Sequence, residues 1–157
     1  MLDDVRQSLL DRSMPLKRAI ERIRDEAGGN LTDIRLRWLQ NELTGYPKRE
    51  LDIAESSLHE PQYRKLLGTY LAQVPSGEWV DVSDTNIGDY PAFLGFGIGA
   101  IEEFLQKAEE EWYDLSIVVK GIPFKLRIRR DQLVNIGESV RSRLIDLIDE
   151  LKAEATS

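Results

Sequence analysis

The chain has no cysteine and only one histidine, His59, among its 157 residues. The lack of thiols excludes a disulfide framework, a thiolate zinc site and a cysteine nucleophile. A single histidine also argues against a transition-metal site, because such sites use several imidazole or thiolate ligands. His59 lies beside Glu60 and Pro61 in a polar stretch without a recognisable nucleophile elbow. We therefore predict no cofactor and assign no proton transfer to His59.

A long apolar run is absent as well, and the first residues are charged and polar. We therefore expect a cytoplasmic protein without a secretory signal or a membrane anchor. The net charge of −7 argues against broad, non-specific binding to nucleic acid, which uses a basic surface. It does not exclude a local basic patch. The 28 acidic residues leave a carboxylate site for magnesium open, but no motif singles one out.

The content of 41% hydrophobic and 31% charged residues is that of an ordinary globular protein. At this length we expect one domain over residues 1–157, with a tail from about residue 153 that could serve as a linker.

Helical periodicity appears in several segments of the chain. It predicts a short helix over residues 2–10, a second begun by Ser13 as cap with Pro15 in its first turn, and a third from Thr32 or Asp33 to Gly45. Residues 28–30 form the Gly-rich turn of this helical hairpin, and two further helices span residues 99–111 and 133–153. In the third helix the predicted apolar stripe is Leu36, Leu39 and Leu43, with Ile34 and Trp38 beside it. In the fourth helix the predicted inward-facing residues are Ile101, Phe104, Leu105 and Ala108. The last helix carries an apolar seam from Val140 to Leu151, which we interpret as core in preference to an oligomer interface.

Strand patterns lie between these helices. Residues 63–74 are rich in aromatic and branched residues and predict a strand bent at Gly68, and residues 78–82 could pair back after a turn at 75–77. Residues 114–120 and 122–129 predict two more strands, candidates for a hairpin about Gly121. The order indicates an α+β fold, with the helical hairpin and the long C-terminal helix packed on a small antiparallel sheet.

The densest basic cluster is formed by Lys125, Arg127, Arg129 and Arg130, with Phe124 and Tyr113 nearby in sequence. On a strand, the first three of these cations share one face. The cluster could bind a phosphate backbone or an acidic partner. The alternative, which we favour, is a solvated strand face opposite a core face of Phe124, Leu126 and Ile128. In the last helix, Arg141 and Arg143 are placed for weak ion pairs with acidic neighbours such as Glu138.

A glycine-rich stretch, Gly95-Phe96-Gly97-Ile98-Gly99, precedes a predicted helix. Glycines before a helix can expose backbone N–H groups to a phosphate. The spacing nevertheless matches neither the dinucleotide fingerprint nor the P-loop. We interpret the stretch as a lead into a helix, with small residues that allow close packing.

The most distinctive stretch of the chain is WLQNELTGYP, residues 38–47, in which Gly45 and Pro47 stop a helix between two aromatic residues. Together with PQYRKLLGTYLAQ and SVRSRLIDLIDELK, it resembles the AbiTii family, from Leu9 through Lys152. The residues that match the family pattern are Trp38, Glu42, Leu43, Gly45, Tyr46, Pro47, Tyr63, Arg64, Val140, Arg141 and Leu144. The segment from Phe93 to Gly99 departs from that pattern.

The AbiTii family is named for the second component of a two-gene abortive-infection system of phage resistance. The resemblance implies a domain that occurs alone or at the N-terminus of larger proteins in prokaryotic conflict systems, and it brings no catalytic residues. We therefore expect a non-enzymatic sensor or adaptor that binds a phage protein, a host protein, or an adjacent or fused effector. Two alternatives are a toxin or nucleic-acid-directed effector that uses the basic cluster, and a dimerisation module.

We expect an architectural role for residues 38–47, because the rest of the chain shows no competing active site. We expect Glu42 and Tyr46 to tie the end of their helix to the strand that begins at Tyr63 and Arg64. An exposed Tyr46 and an unpaired Glu42 would instead indicate a binding surface.

Overall fold

The computed structural model describes residues 2–46, 61–85, 92–119 and 121–156. The chain divides into two compact units. The first comprises Met1–Tyr46, Phe96–Ala108 and Asn135–Ser157, and the second comprises Pro47–Gly95 and Glu109–Val134. The single domain expected from the length stays a prediction. The predicted α+β class is confirmed, with antiparallel strands and a long C-terminal helix.

Helices dominate the first unit. They are α1 (Asp3–Asp11), α2 (Leu16–Ala27), α3 (Asp33–Thr44), α4 (Ile98–Lys107) and most of α5 (Arg130–Ala155). A 3₁₀ turn at Gly28–Asn30 joins α2 to α3, as the sequence predicted. Thr32 caps α3, because its hydroxyl accepts a hydrogen bond from the N–H of Arg35 at 3.3 Å. Within the described residues, no helix is both long and apolar enough to cross a membrane.

The core of the first unit is built from the apolar faces of these helices. The predicted faces of α2 and α5 are confirmed, since their apolar residues are almost completely excluded from solvent. Each buried leucine, isoleucine or valine side chain stabilises the fold by about 1.5–3 kcal/mol relative to an exposed one. The buried residues of the two faces are Leu16, Ala19, Ile20, Ile23, Ala27, Val140, Leu144, Leu147 and Ile148. The seam of α5 is therefore core from Val140 to Ile148, as predicted, whereas Leu151 at its end is only half-buried.

The predicted inward faces of α3 and α4 are partly wrong. Ile34 is 79% exposed and Leu36 also faces solvent, while α3 buries Trp38, Leu39 and Glu42. Trp38 and Glu42 are one helical turn apart and therefore lie on the same face of α3. This buried face includes a charged residue, so the apolar pattern alone placed the buried face incorrectly. In α4, Phe104 is 40% exposed, and the buried residues are Ile98 and Ile101.

The start of α2 also differs from the prediction. Pro15 occupies the N-cap position, and no side chain of that residue or of Ser13 caps the helix. Instead the carboxylate of Glu102, on α4, accepts hydrogen bonds from the N–H groups of Leu16 (2.8 Å) and Lys17 (3.0 Å). A carboxylate at this end satisfies two otherwise unpaired donors and complements the helix dipole.

Strands dominate the second unit. The pair β1 (Lys65–Leu66) and β4 (Ala92–Phe93) forms a small antiparallel sheet. The strands β2 (Thr69–Gln73), β3 (Trp79–Asp81), β5 (Trp112–Val119) and β6 (Ile122–Arg129) form a four-stranded sheet. Its order is β3-β2-β6-β5, and all neighbours are antiparallel. Both predicted hairpins, β2–β3 and β5–β6, are confirmed.

The bent strand predicted over residues 63–74 is two strands in two different sheets. Residues 62–64 form a 3₁₀ turn, β1 pairs with β4, and β2 begins after Gly68. A Cβ atom at Gly68 would collide with the backbone carbonyl of Arg127, so only glycine fits at this break. Most of the predicted connections at residues 48–61 and 84–91 lies outside the described residues.

The glycine-rich stretch before α4 allows close packing, as the sequence indicated. Gly97 is the N-cap of α4, and a Cβ atom there would lie 2.6 Å from the carbonyl oxygen of Leu43 on α3. A Cβ atom at Gly99 would lie 2.7 Å from the Cδ atom of Lys17 on α2. The two glycines therefore let α4 approach both helices of the hairpin.

Replacing Gly97 with alanine is expected to destabilise the protein by about 1–3 kcal/mol, because the carbonyl of Leu43 is backbone and cannot move aside cheaply. Urea denaturation followed by circular dichroism measures the change in the free energy of unfolding. Gly29→Ala is the matched control, since a Cβ atom there meets no atom within 4 Å. Equal stability of the two variants would contradict the steric argument.

Candidate interaction surface

The predicted basic cluster lies on one face of the four-stranded sheet. Lys125, Arg127 and Arg129 point to the solvent side of β6, while Leu126 and Ile128 are fully buried on the opposite side. The alternation that the sequence predicted is therefore present in the structure. Arg130 does not share this face, because it begins α5 and is half-buried.

Each of the three cations has a partner on the same face. The guanidinium of Arg127 donates to both carboxylate oxygens of Asp114 on β5, at 2.8 and 3.1 Å. Arg129 donates to Glu111 at 2.9 Å, and its guanidinium lies 5.5 Å from the ring centre of Trp112. The ammonium of Lys125 lies 4.4 Å from the ring centre of Trp79 on β3. The basic residues are thus held by carboxylates and indole rings of neighbouring segments.

The ion pair between Arg127 and Asp114 perturbs the acid–base behaviour of both groups. Hydrogen bonding to Arg127 lowers the pKa of the Asp114 carboxyl below its usual range, and the same bond raises the pKa of the Arg127 guanidinium. On β3, hydrogen bonds from Ser83, including one from its backbone N–H at 2.8 Å, lower the pKa of Asp81. All three groups are therefore charged at neutral pH.

We call this surface the outer sheet face and define it by Trp79, Trp112, Asp114, Lys125, Arg127 and Arg129. Register explains its composition, since Asp114 is opposite Arg127 and Trp112 is opposite Arg129 in the β5–β6 ladder. The sequence alone did not indicate the two tryptophans or the aspartate as part of this surface. Phe124 and Tyr113, the predicted neighbours of the cations, lie on the other side of the sheet by their parity, with Leu126 and Ile128. Pairing the strands about Gly121 would have supplied the correct neighbours.

The residues that resemble the AbiTii pattern have structural contacts in the first unit. Trp38 is 8% exposed, and the guanidinium of Arg143 lies 4.7 Å from its ring centre. Glu42 and Tyr46 are buried, and the hydroxyl of Tyr46 donates to Glu42 at 2.6 Å. Gly45 has a φ of 100° and a ψ of 157°, so it ends α3 in an extended conformation that is reserved for glycine. An exposed Tyr46 and an unpaired Glu42 would have indicated a binding surface, and the structure shows neither.

Other matching residues hold backbone groups in place. Arg64 is completely buried in the 3₁₀ turn before β1, and its guanidinium donates to the carbonyl of Leu94 at 2.8 Å. The guanidinium of Arg141 donates to the carbonyl of Leu9 at 2.9 Å, near the end of α1. Its Nε lies 3.6 Å from Glu138, and desolvation lowers the pKa of the Arg141 guanidinium. These arginines fix chain segments that are distant in sequence.

Other residues that the sequence singled out are Tyr63, Pro47 and His59. Tyr63 is half-buried in the same turn as Arg64. Pro47 and His59 lie outside the described residues. The predicted tie from Glu42 and Tyr46 to residues 63–64 stays a prediction. Among the described residues, no group of three histidine, cysteine or acidic side chains could hold a metal ion.

Comparison with known proteins gives no further assignment, because no protein-family model, no curated protein and no solved structure matches the chain. The resemblance to the AbiTii family therefore stays a prediction that depends on the residues quoted for it.

The buried bond between Tyr46 and Glu42 is expected to stabilise the end of α3. Tyr46→Phe removes the donor and leaves a buried carboxylate oxygen without it, so the free energy of unfolding should fall by about 1–3 kcal/mol. A double-mutant cycle with Glu42→Gln tests the coupling by chemical denaturation. Additive effects of the two changes would show that the two side chains stabilise the fold independently.

Asp114 gives a pH-dependent prediction. Because its pKa is lower in the folded than in the unfolded chain, the ion pair stabilises the fold above the usual aspartate range, about pH 4, and this contribution is lost as the pH falls through the lowered pKa. Asp114→Asn should therefore cost about 0.5 kcal/mol at pH 7 and progressively less as the pH falls below about 4. Denaturation measured across this range tests the difference, with Asp84→Asn, an exposed aspartate after β3, as the control. Identical pH profiles for the wild type and Asp114→Asn would contradict it.

Proposed function

We propose that the chain is a protein-interaction domain of a prokaryotic antiphage system of the abortive-infection type, and that its partner binds the outer sheet face. The observation that carries the proposal is the pairing of Arg127 and Arg129 with Asp114 and Glu111 beside an exposed indole. The face is thus aromatic and polar, and carboxylates neutralise two of its three cations. The resemblance to the AbiTii family supplies the defence context.

The side chains of this face are those that protein interfaces favour. Tryptophan and arginine are enriched among residues that dominate binding energy, whereas lysine is depleted. Trp112 is 48% exposed, and Trp79 is half-exposed beneath the ammonium of Lys125. Because Arg127 and Arg129 are already oriented by carboxylates, a partner would bind them with a smaller loss of side-chain entropy.

The role that fits such a surface is that of a cytoplasmic sensor or adaptor. Its partner would be a phage protein, a host protein, or an effector encoded beside or fused to this chain. No catalytic function is part of the proposal, because the residues that define the resemblance are engaged in structural contacts.

A nucleic-acid-directed effector is the second candidate, and one observation favours it. Three cations lie along one strand face between two indoles, an arrangement on which unpaired bases could stack. The same face also carries Asp114 and Glu111, whose charges would repel a phosphate backbone. These two carboxylates therefore favour a protein partner over a polyanion.

The proposal is tested by phage challenge of a host that carries the gene with its genomic neighbours. Trp79→Ala and Lys125→Ala should each reduce protection, since removal of an interface tryptophan typically weakens binding by about 30-fold. Ile34→Ala is the control, because this exposed side chain lies on α3 in the first unit. Thermal denaturation of the purified variants verifies that they fold. Protection equal to that of the wild type in both outer-face variants would refute the proposed surface.

Binding of RNA and single-stranded DNA to the purified chain separates the two candidates. For a protein-interaction domain, no retardation is expected at low salt. Salt-dependent retardation that disappears in an Arg127→Ala, Arg129→Ala double variant would replace the proposal with the effector.

A further inference from the structure

The strand β5 forms one edge of the four-stranded sheet and is unusually open to pairing. It is eight residues long, and within the described part of the chain β6 is its only neighbouring strand. Natural edge strands are usually protected by lysine, proline or a bulge. The sequence of β5, WYDLSIVV, contains no lysine, arginine or proline. Its register with β6 is uninterrupted from Trp112 to Val119.

Backbone parity shows which groups of β5 point outward. The N–H of Arg130 donates to the carbonyl of Glu111 at 2.8 Å, one step beyond the pair Trp112–Arg129. Since hydrogen-bonded pairs alternate along an antiparallel ladder, residues 113, 115, 117 and 119 bond to β6. The N–H and carbonyl groups of residues 112, 114, 116 and 118 therefore face away from the sheet.

These outward groups are self-complementary. We propose that β5 pairs antiparallel with β5 of a second copy about a two-fold axis at Leu115, which joins the two sheets into one of eight strands. The axis places Trp112 opposite Val118 of the other copy and Asp114 opposite Ser116. The backbone groups of residues 112, 114, 116 and 118 all point outward. Each of these pairs therefore exchanges two backbone hydrogen bonds, and so does the pair related to it by the two-fold axis.

The charges and the exposed apolar side chains of β5 favour an axis at Leu115 over the neighbouring registers. An axis at Asp114 would bring the two Asp114 carboxylates face to face, and an axis at Ser116 would place Asp114 against Val118; both arrangements are unfavourable. At Leu115 the carboxylate meets a hydroxyl donor, and the exposed Trp112 (48%) covers the exposed Val118 (59%). The charge of Asp114 does not prevent pairing at this edge, because its carboxylate forms an ion pair with Arg127 of its own sheet.

This pairing shares Trp112 and Asp114 with the outer sheet face, but it leaves Trp79 and Lys125 accessible, and these are the residues that test the proposed function. It would present two outer sheet faces on one continuous surface, so a repetitive partner could bind both with increased avidity. The measurements below need only the purified chain, and their failure would leave the proposed function untouched.

Sedimentation equilibrium of the full chain tests the association. The wild type should have twice the mass of the 18.0 kDa chain at micromolar concentrations. Ser116→Asp should weaken association at least tenfold, because the new carboxylate faces Asp114 of the other copy. Its fold is preserved, since Lys125 is opposite residue 116 on β6. Ser116→Asn is the matched control and should retain the dimer, because its neutral amide can still donate to that same Asp114. A monomeric wild type, or equal association of both variants, would overturn the proposal.

An engineered disulfide between the two copies tests the register. The chain has no cysteine of its own, so only the introduced thiols can react. Leu115→Cys places two thiols directly opposite each other in a non-hydrogen-bonded pair, with a Cα separation of about 4.5 Å that a disulfide can bridge. Ile117→Cys lies on the same side of the strand but faces Tyr113 of the other copy. Oxidation should cross-link the Leu115→Cys variant and not the Ile117→Cys variant. Equal cross-linking, or cross-linking of Ile117→Cys alone, would reject the axis at Leu115.

Discussion

The alternation imposed by the pleat of β6 is the constraint on which the second unit depends. Successive side chains of this strand point to opposite sides, so Leu126 and Ile128 are buried while Arg127 and Arg129 face solvent. The same period governs the backbone, because alternate residues of β6 bond to β2 and to β5. A slip of one residue would bury two guanidinium groups and expose the core. One register therefore defines the core, the outer sheet face and the free edge of β5 together.

The first unit depends more on contacts between segments that are distant in sequence. Glu102 caps a helix that begins 86 residues earlier, and Arg141 binds the carbonyl of Leu9 at a separation of 132 residues. Such charge-assisted bonds are stronger than neutral ones and have stricter geometry. They complement the non-directional packing of the apolar seam of α5, which supplies stability without fixing the helix ends.

The sequence predicted those features that depend on local periodicity. The faces of α2 and α5, the hairpin about Gly121 and the split between Leu126 and Arg127 all follow from spacing within one element. Features that depend on distant partners could not be predicted in this way. No local signal shows that Glu102 replaces Ser13 as the cap of α2, or that Glu42 is buried while Ile34 is exposed. The cations of the outer sheet face were predicted, because they all belong to β6. Its indoles and its aspartate were not predicted, because they belong to two other strands.

The remote cap of α2 has a consequence for the protein during its synthesis. The first turn of α2 leaves the ribosome long before Glu102 is translated, so its N–H groups are paired only with water in the nascent chain. A twelve-residue helix is marginal in isolation, and an uncapped one frays further. The helix therefore acquires its defined start only when α4 arrives. The N-terminal segment thus becomes fully ordered only after the middle of the chain has emerged.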